Sequence, residues 1–270
     1  MHIVITTLNR EDKQKALAQI PTALHQIVHL YTKADRVALL QAAIPDTITV
    51  RALPQDTDGI AQTRQRAIDA TPKGKVWIID DLCVFRKRTI VDKRITYTPL
   101  DDDGFMALYE RISTLLDRYI QVGISAQNGN NRWLGDDKPI GRAYSTYGLR
   151  TDKMQRANIA FDAMYRDNPL HRYMEDFYIT MDALTKGYPN TIIYDYCFQY
   201  THNAKGGNST NRTVKGHSAS AQEMQRRFPK FIKTVKKDGD WGNGGMDGRL
   251  EIHAQWQKAF QSSKQPNKRK

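Results

Sequence analysis

A chain of 270 residues that is 40% hydrophobic and 26% charged can bury the core of one large domain or two small ones, which excludes a disordered polymer. No apolar run is long enough to span a bilayer, and the start Met1-His2-Ile3-Val4-Ile5-Thr6-Thr7 lacks the basic lead and small-residue cleavage site of a secretion signal. The formal charge of +12 and the isoelectric point near 9.6 favour a polyanionic partner, nucleic acid first. Cys83 and Cys197 lie in apolar stretches. They read as core thiols, not a disulfide framework or a zinc site, which suits a cytoplasmic protein.

Residues 2–6 form the first expected strand. Residues 14–30 read as helix, broken or restarted at Pro21. The next strand falls at residues 38–41 or at 47–52. Residues 59–70 read as a helix with Ile60, Ala61, Ala67 and Ile68 on one face. After the turn Lys73-Gly74-Lys75 comes Val76-Trp77-Ile78-Ile79-Asp80-Asp81-Leu82-Cys83-Val84-Phe85, an apolar run that ends in two adjacent carboxylates. Such a run is the mark of a central parallel strand. Ligands of open α/β sheets sit beyond the carboxyl ends of the strands, and paired carboxylates there suit a divalent metal on a diphosphate. Strand–helix alternation predicts an α/β fold with a mixed, mainly parallel sheet flanked by helices.

Phe105, Leu108, Ile112, Leu115, Leu116 and Tyr119 repeat at helical spacing, and residues 122–126 form a short strand. Residues 127–138 have no period, and Trp133 in their midst points to ordering on a ligand. Residues 142–150 alternate like a strand. Residues 171–187 read as a helix with Met174, Phe177, Met181 and Leu184 on one face, closed by Gly187 and Pro189. Glu175 and Asp176 fall in its first turn, where the helix dipole favours acids. A strand over 191–199 and a polar loop over 205–213 follow. Arg226, Arg227, Lys230, Lys233, Lys236 and Lys237 crowd one basic segment, and residues 264–270 end the chain with more lysine and arginine. The expected organisation is one domain over 1–235 and a basic, partly disordered extension over 236–270.

Four pieces stand in a fixed order: Thr6-Thr7-Leu8-Asn9-Arg10 after the first strand, Gly59-Ile60-Ala61-Gln62-Thr63-Arg64 opening a helix, Asp80-Asp81 at a strand end, and Glu175-Asp176 on a later helix. Together they resemble the GT-A class of nucleotide-sugar glycosyltransferases over about residues 2–205. The loop Gly206-Gly207-Asn208-Ser209-Thr210-Asn211-Arg212, the segment Arg226-Arg227-Phe228-Pro229-Lys230-Phe231 and the basic charge resemble, more narrowly, phage DNA-modifying members associated with TET/JBP-type hydroxylases. The acidic pair departs from the class pattern Asp-x-Asp, because its acids are adjacent.

The resemblance implies an enzyme that moves a sugar from a nucleoside-diphosphate sugar, a UDP-sugar first, to the hydroxyl of a 5-hydroxymethylpyrimidine in DNA, with Mn or Mg. It implies Asp176 as general base of an inverting displacement, with Glu175 binding the acceptor or orienting a loop. Thr6, Asn9, Arg10, Arg64 and Asp80 would bind the nucleotide sugar, and Asp81 and His202 the metal. Arg212, Lys230, Lys233, Lys236 and Lys237 would hold DNA, with Tyr144, Tyr147, Trp133 and Trp241 as candidate stacking residues. A glycosyltransferase acting on protein, lipid or polysaccharide, a metal-dependent nuclease and a non-catalytic DNA-binding protein are the alternatives.

Overall fold

The computed structural model describes residues 1–92, 94–200, 212–239 and 246–264. Its elements in chain order are β1 (His2–Thr6), β2 (Val28–Lys33), α1 (Val37–Gln41), β3 (Thr49–Leu53), α2 (Gly59–Asp69), β4 (Lys75–Asp80), β5 (Val84–Val91) and β6 (Arg94–Pro99). There follow α3 (Asp102–Arg118), β7 (Gln121–Ala126), β8 (Asp137–Pro139), β9 (Thr146–Arg150), α4 (Thr151–Arg156), α5 (Ala163–Asp167) and α6 (Glu175–Thr185). The last are β10 (Asn190–Gln199), α7 (Val214–Arg227), β11 (Ile232–Lys237), β12 (Arg249–Ala254) and α8 (Trp256–Lys264).

The main sheet runs β3-β2-β1-β4-β9-β7-β10-β5-β6, with β8 paired to β10. β3, β2, β1 and β4 are mutually parallel, as are β7 and β10, and β9 is inserted antiparallel between β4 and β7. The sheet is thus mixed and mostly parallel, as the alternation of signals predicts. Val76, Trp77, Ile78 and Ile79 of β4 are all fully buried. Val76 and Ile78 join the core layer under α6, and Trp77 and Ile79 the layer under α3. A strand covered on both faces needs an unbroken apolar run, which is why its sequence does not alternate. Trp77 sits within 5.2 Å of Phe85 and 5.3 Å of Phe105, ring centre to ring centre, and its indole N–H donates to Thr146 Oγ1 at 2.8 Å. The close approach of α3 to β9 depends on Gly148, where a Cβ would stand 2.6 Å from the Ile112 side chain.

One alternative is settled and four expectations are corrected. Residues 14–30 are not a helix. They form 3₁₀ turns at Leu17–Gln19 and Thr22–Ile27 and then enter β2, because His29, Leu30 and Tyr31 pair with both β1 and β3. Residues 38–41 lie in α1, and β3 takes the later position. The expected strand over 142–150 shortens to β9, and the expected helix over 171–187 begins only at Glu175. Met174 there adopts a left-handed φ of 65°, and the preceding backbone bonds elsewhere, Tyr173 N–H to Ser220 Oγ. The boundary at 235 cuts through β11, which pairs along its whole length with β12. α7 and the hairpin wrap the α6 side of the sheet, where Met224, Ile232, Ile252 and Ala259 join the core. Residues 236–239 and 246–264 are therefore part of the domain. Both cysteines are buried free thiols, and among the described residues no helix is long and apolar enough to cross a membrane.

Candidate active site

A cleft of about 350 Å³ opens where β1 and β4 end, at the carboxyl edge that an α/β sheet offers to ligands. The four separated pieces of sequence converge there: Thr6, Thr7 and Arg10 behind β1, Arg64 on α2, Asp80 and Asp81 at the end of β4, and Glu175 and Asp176 at the start of α6. Asn9 is the exception. It is an exposed turn residue at φ 55° and does not line the cleft.

Asp80 and Asp81 divide differently from the reading of the sequence. Asp81 is buried, and both its oxygens are engaged: Thr7 Oγ1 donates to Oδ2 at 2.7 Å and Arg10 Nη1 to Oδ1 at 3.0 Å. Gln14 Nε2 donates to Thr7 Oγ1 in turn, at 3.0 Å, and to the Arg10 carbonyl at 2.6 Å. Burial pushes the Asp81 carboxyl upward, and Arg10 and Thr7 oppose that shift. Asp80 instead faces the cleft, a third of its side chain exposed, with Arg64 Nη2 donating to its Oδ1 at 2.6 Å. Asp80, more exposed to the cleft, is the better placed of the two to meet a cation, and Asp81 also lines the cleft. Two carboxylates suit Mg²⁺ or Mn²⁺ held jointly by substrate phosphates and waters, the mode that hard cations adopt with nucleotides. His202 lies outside the described residues, among which no group of three or more metal-ligating side chains occurs.

Arg64 is the hub. Its guanidinium is buried, with Nη2 on Asp80 and Nη1 on Glu175 Oε1 at 2.5 Å. It thereby ties the end of β4 to the start of α6. A planar fork with five donors can span two carboxylates from one side chain, which an ammonium cannot do as well. Arg64 is thus a structural clamp inside the site, where the sequence suggested a direct nucleotide contact. Glu175 is buried, and its carboxyl is pushed up to about 7, by burial first, with Asp176 and Asp80 adding and Arg64 opposing. A carboxyl raised in the folded state binds its proton more tightly there than in the unfolded chain. Stability from this group is fully present below about pH 4.5 and is lost as pH rises toward 7. The expected result is a melting temperature that falls across that window in the parent and falls less in Glu175→Gln, read by thermal denaturation at a series of pH values.

Asp176 also lines the cleft, and its Oδ2 accepts from Arg142 Nη2 at 3.0 Å. The other walls, Arg212 excepted, were not read from the sequence. Lys33, Leu53, Thr57 and Asp58 close the end above β2 and β3, and Arg212, His217 and Glu251 come from the C-terminal third. Arg212 is a lining residue that lies 5.7 Å from the centre of the Tyr173 ring, and not part of the lysine-rich surface with which it was grouped. Lys230, Lys233, Lys236 and Lys237 are exposed around β11. Of the stacking candidates, Tyr147 is fully buried against Phe161 and belongs to the core. Trp133 is partly exposed, but its loop is already ordered. Arg88 donates to the carbonyls of Asn130 and Gly135, at 3.2 and 2.7 Å, and to that of Trp133. Tyr144 lines the cleft, and Trp241 lies outside the described residues. The burial of Arg64 had one sequence signal: its place among the apolar residues Ala61, Ala67 and Ile68, all buried on α2.

No protein-family profile matches the chain. In structure it is similar to residues 1–349 of TarS from S. aureus in complex with UDP-GlcNAc, with a TM-score of 0.53 at 13% identity, over 83% of this chain and 67% of that one. It is similar also to glucosyl-3-phosphoglycerate synthase from Mycobacterium tuberculosis in complex with Mn²⁺, UDP and glucosyl-3-phosphoglycerate, with a TM-score of 0.52 at 11% identity, over 94% and 86% of the two chains. The fold is that of the GT-A glycosyltransferases. In sequence, the chain is 22% identical over 246 residues to the beta-glucosyl-HMC-alpha-glucosyl-transferases of Enterobacteria phages T2 and T6, an alignment that takes in 85% of this chain and 81% of each relative. With that fold and those relatives, the chain is a glycosyltransferase.

Proposed function

We propose that this enzyme transfers a sugar from a nucleoside-diphosphate sugar, UDP-linked first, to a hydroxyl carried by a 5-hydroxymethylpyrimidine of DNA. The observation that carries the acceptor is the likeness, along most of both chains, to the two phage enzymes named for HMC-linked glucose, in a chain of charge +12. The same name favours a second acceptor, the hydroxyl of a sugar already on the base. The deciding experiment is nucleoside analysis of hydroxymethylated DNA, and of the same DNA already glucosylated, after incubation with a panel of nucleotide sugars. Absence of any sugar-bearing nucleoside would refute the acceptor assignment.

The nucleoside end of the donor fits the part of the cleft bounded by Lys33, Leu53, Thr57 and Asp58. The diphosphate then falls near Asp80, Arg10 and Thr7. A divalent cation there would neutralise the charge that gathers on the departing diphosphate. Asp176 takes the proton of the acceptor hydroxyl. The hydroxyl oxygen bonds to the anomeric carbon as the carbon–oxygen bond to the diphosphate breaks, and the electron pair leaves with the nucleoside diphosphate. In this scheme the configuration of the sugar is inverted. Glu175 and Arg64 hold the start of α6 against β4 so that Asp176 and the donor stay aligned.

Two further results are expected. Chelation by EDTA lowers the transfer rate and added Mn²⁺ or Mg²⁺ restores it, with Asp80→Asn needing more metal than the parent in a titration of activity. Full activity in chelator would remove the metal from the mechanism. Replacing Lys230, Lys233, Lys236 and Lys237 together by Gln weakens DNA binding and flattens its salt dependence, since each phosphate contact contributes about 0.9 to the slope of log K against log salt. An unchanged slope in fluorescence anisotropy would return these lysines to a solubilising role.

A further inference from the structure

Arg142 is held in an unusual way for a half-exposed arginine. Its guanidinium carbon lies 3.7 Å from the centre of the Phe177 ring and 4.4 Å from that of Tyr144. At the same time Nη2 donates to Asp176 Oδ2 at 3.0 Å. A flat cation therefore packs on two aromatic side chains at once, with one edge on the carboxylate proposed as the base. Both walls are braced from behind. Phe177 stacks on Trp256 with ring centres 5.8 Å apart and planes at 26°. Tyr144 meets Phe198 edge-on at 5.5 Å and Tyr200 at 6.4 Å. Because these contacts do not involve Arg142, the slot keeps its walls when the guanidinium leaves.

The size of the slot suits another flat group. Its two ring centres are at most about 8 Å apart, and a planar ring stacked on both sides needs two contacts of about 3.5–4.0 Å each, so one such ring enters with the walls at the wide end of that range. The walls also lie beside Asp80 and Asp176 in the same cleft, so a ring seated there has its edge at the reacting groups.

Resting on the DNA acceptor proposed above, we infer that the slot between Tyr144 and Phe177 seats the acceptor base, extruded from the helix, and that Arg142 occupies it until the base arrives. An enzyme acting on the 5-substituent of a base in a duplex must enter the major groove or extrude the nucleotide, and an aromatic slot inside a cleft suits the extruded base. Once it does, base–aromatic stacking replaces the cation–aromatic contacts, and the hydroxyl takes the place of Arg142 Nη2 at Asp176 Oδ2. The displaced guanidinium has a planar fork that matches the DNA phosphate beside the vacated position. Its departure also removes the cation paired with Asp176 at the moment that carboxylate must accept a proton. An empty enzyme therefore holds its base in a salt bridge, and only an acceptor of the right shape releases it.

The test uses the full chain, a UDP-sugar and a single-stranded oligonucleotide with one 5-hydroxymethylpyrimidine. Tyr144→Leu and Phe177→Leu keep apolar bulk and remove the stacking faces. Each should raise the KM for the oligonucleotide about ten- to a hundredfold, the usual worth of one stacked base, with kcat less affected. The rise in melting temperature produced by UDP, equal in parent and variants, shows that folding and the donor end are intact. The free 5-hydroxymethyl nucleoside, which has no phosphate, should compete better against the oligonucleotide in Arg142→Ala than in the parent, because nothing must be displaced. Parent activity with unchanged KM in both leucine variants, or weaker competition by the nucleoside in Arg142→Ala, would overturn the slot and leave the DNA acceptor standing. A parent that glycosylates no hydroxymethylated DNA would overturn both.

Discussion

Asp176→Asn is expected to lower the transfer rate by about a hundredfold to ten-thousandfold, the usual cost of losing a positioned general base. The amide keeps the shape of the side chain but cannot take the acceptor's proton. Asp176 shares its turn with Glu175, whose tie to Arg64 is independent of it, so the clamp between α2 and α6 should survive. UDP should still raise the melting temperature of the variant as it does that of the parent. Initial rates with a radiolabelled donor would measure the loss. The anomeric configuration of the product, read by NMR of the released nucleoside, supplies the complementary check. A variant that turns over like the parent, or a product that keeps the donor's configuration, would take the role of base away from Asp176 and the inverting scheme with it.

Arg64→Met should cost more in stability than any other single change to the cleft. Arg64 is buried to within 4% of full enclosure and is bonded to Asp80 and Glu175 at once. Methionine fills much of the same volume yet leaves two carboxylates facing each other at the cleft, one of them buried. Breaking a buried ion pair from one side costs about 3–5 kcal/mol, a drop in melting temperature on the order of ten degrees for a domain of this size. Glu175→Gln in the same chain should recover part of that loss, because it removes the carboxylate left without its cation. Arg64→Lys should fall between, since one ammonium cannot hold both acids in the geometry of a fork. Urea denaturation midpoints of the parent, the three single variants and the Arg64→Met, Glu175→Gln double variant test this. A methionine variant as stable as the parent would show that Arg64 is not the clamp.

Much of the architecture was legible because local chemistry and tertiary demand agree. The run Val76-Trp77-Ile78-Ile79 can only be a strand covered on both faces, and so β4 and the acids after it were located without coordinates. The apolar spacing of α3 and the closing glycine of α6 were equally plain. Gly187 does adopt the left-handed φ of 86° that a helix C-terminus requires, since no side chain opposes it. The same agreement made the GT-A resemblance visible, because its motifs sit at strand and helix ends that the sequence marks. Where local and tertiary preferences conflict, the sequence misled. Residues 14–30 read as a helix, yet residues 28–33 form β2 because β1 and β3 offer backbone partners on both sides. That gain is long-range and outweighs a weak local propensity.

Determined by the sequence alone were the fold class, the places of β1, α2, β4, α3 and β7, and the chemical character of the site: acids at the end of β4 and the start of α6, with Arg10 after β1 and Arg64 on α2. Only the tertiary structure decided how those charges pair. Which of Asp80 and Asp81 faces the cleft depends on Thr7 and Arg10 arriving from β1. Arg64 became a buried clamp because Asp80 at the end of β4 and Glu175 at the start of α6 both reach it. Residues 236–239 and 246–264 joined the domain because β12 pairs with β11, and Arg142 packs on Phe177 of α6. Each of these outcomes is a contact between residues far apart in the chain. Periodicity and composition register only what a residue's near neighbours require, so the sequence could name the groups of the site but not their partners.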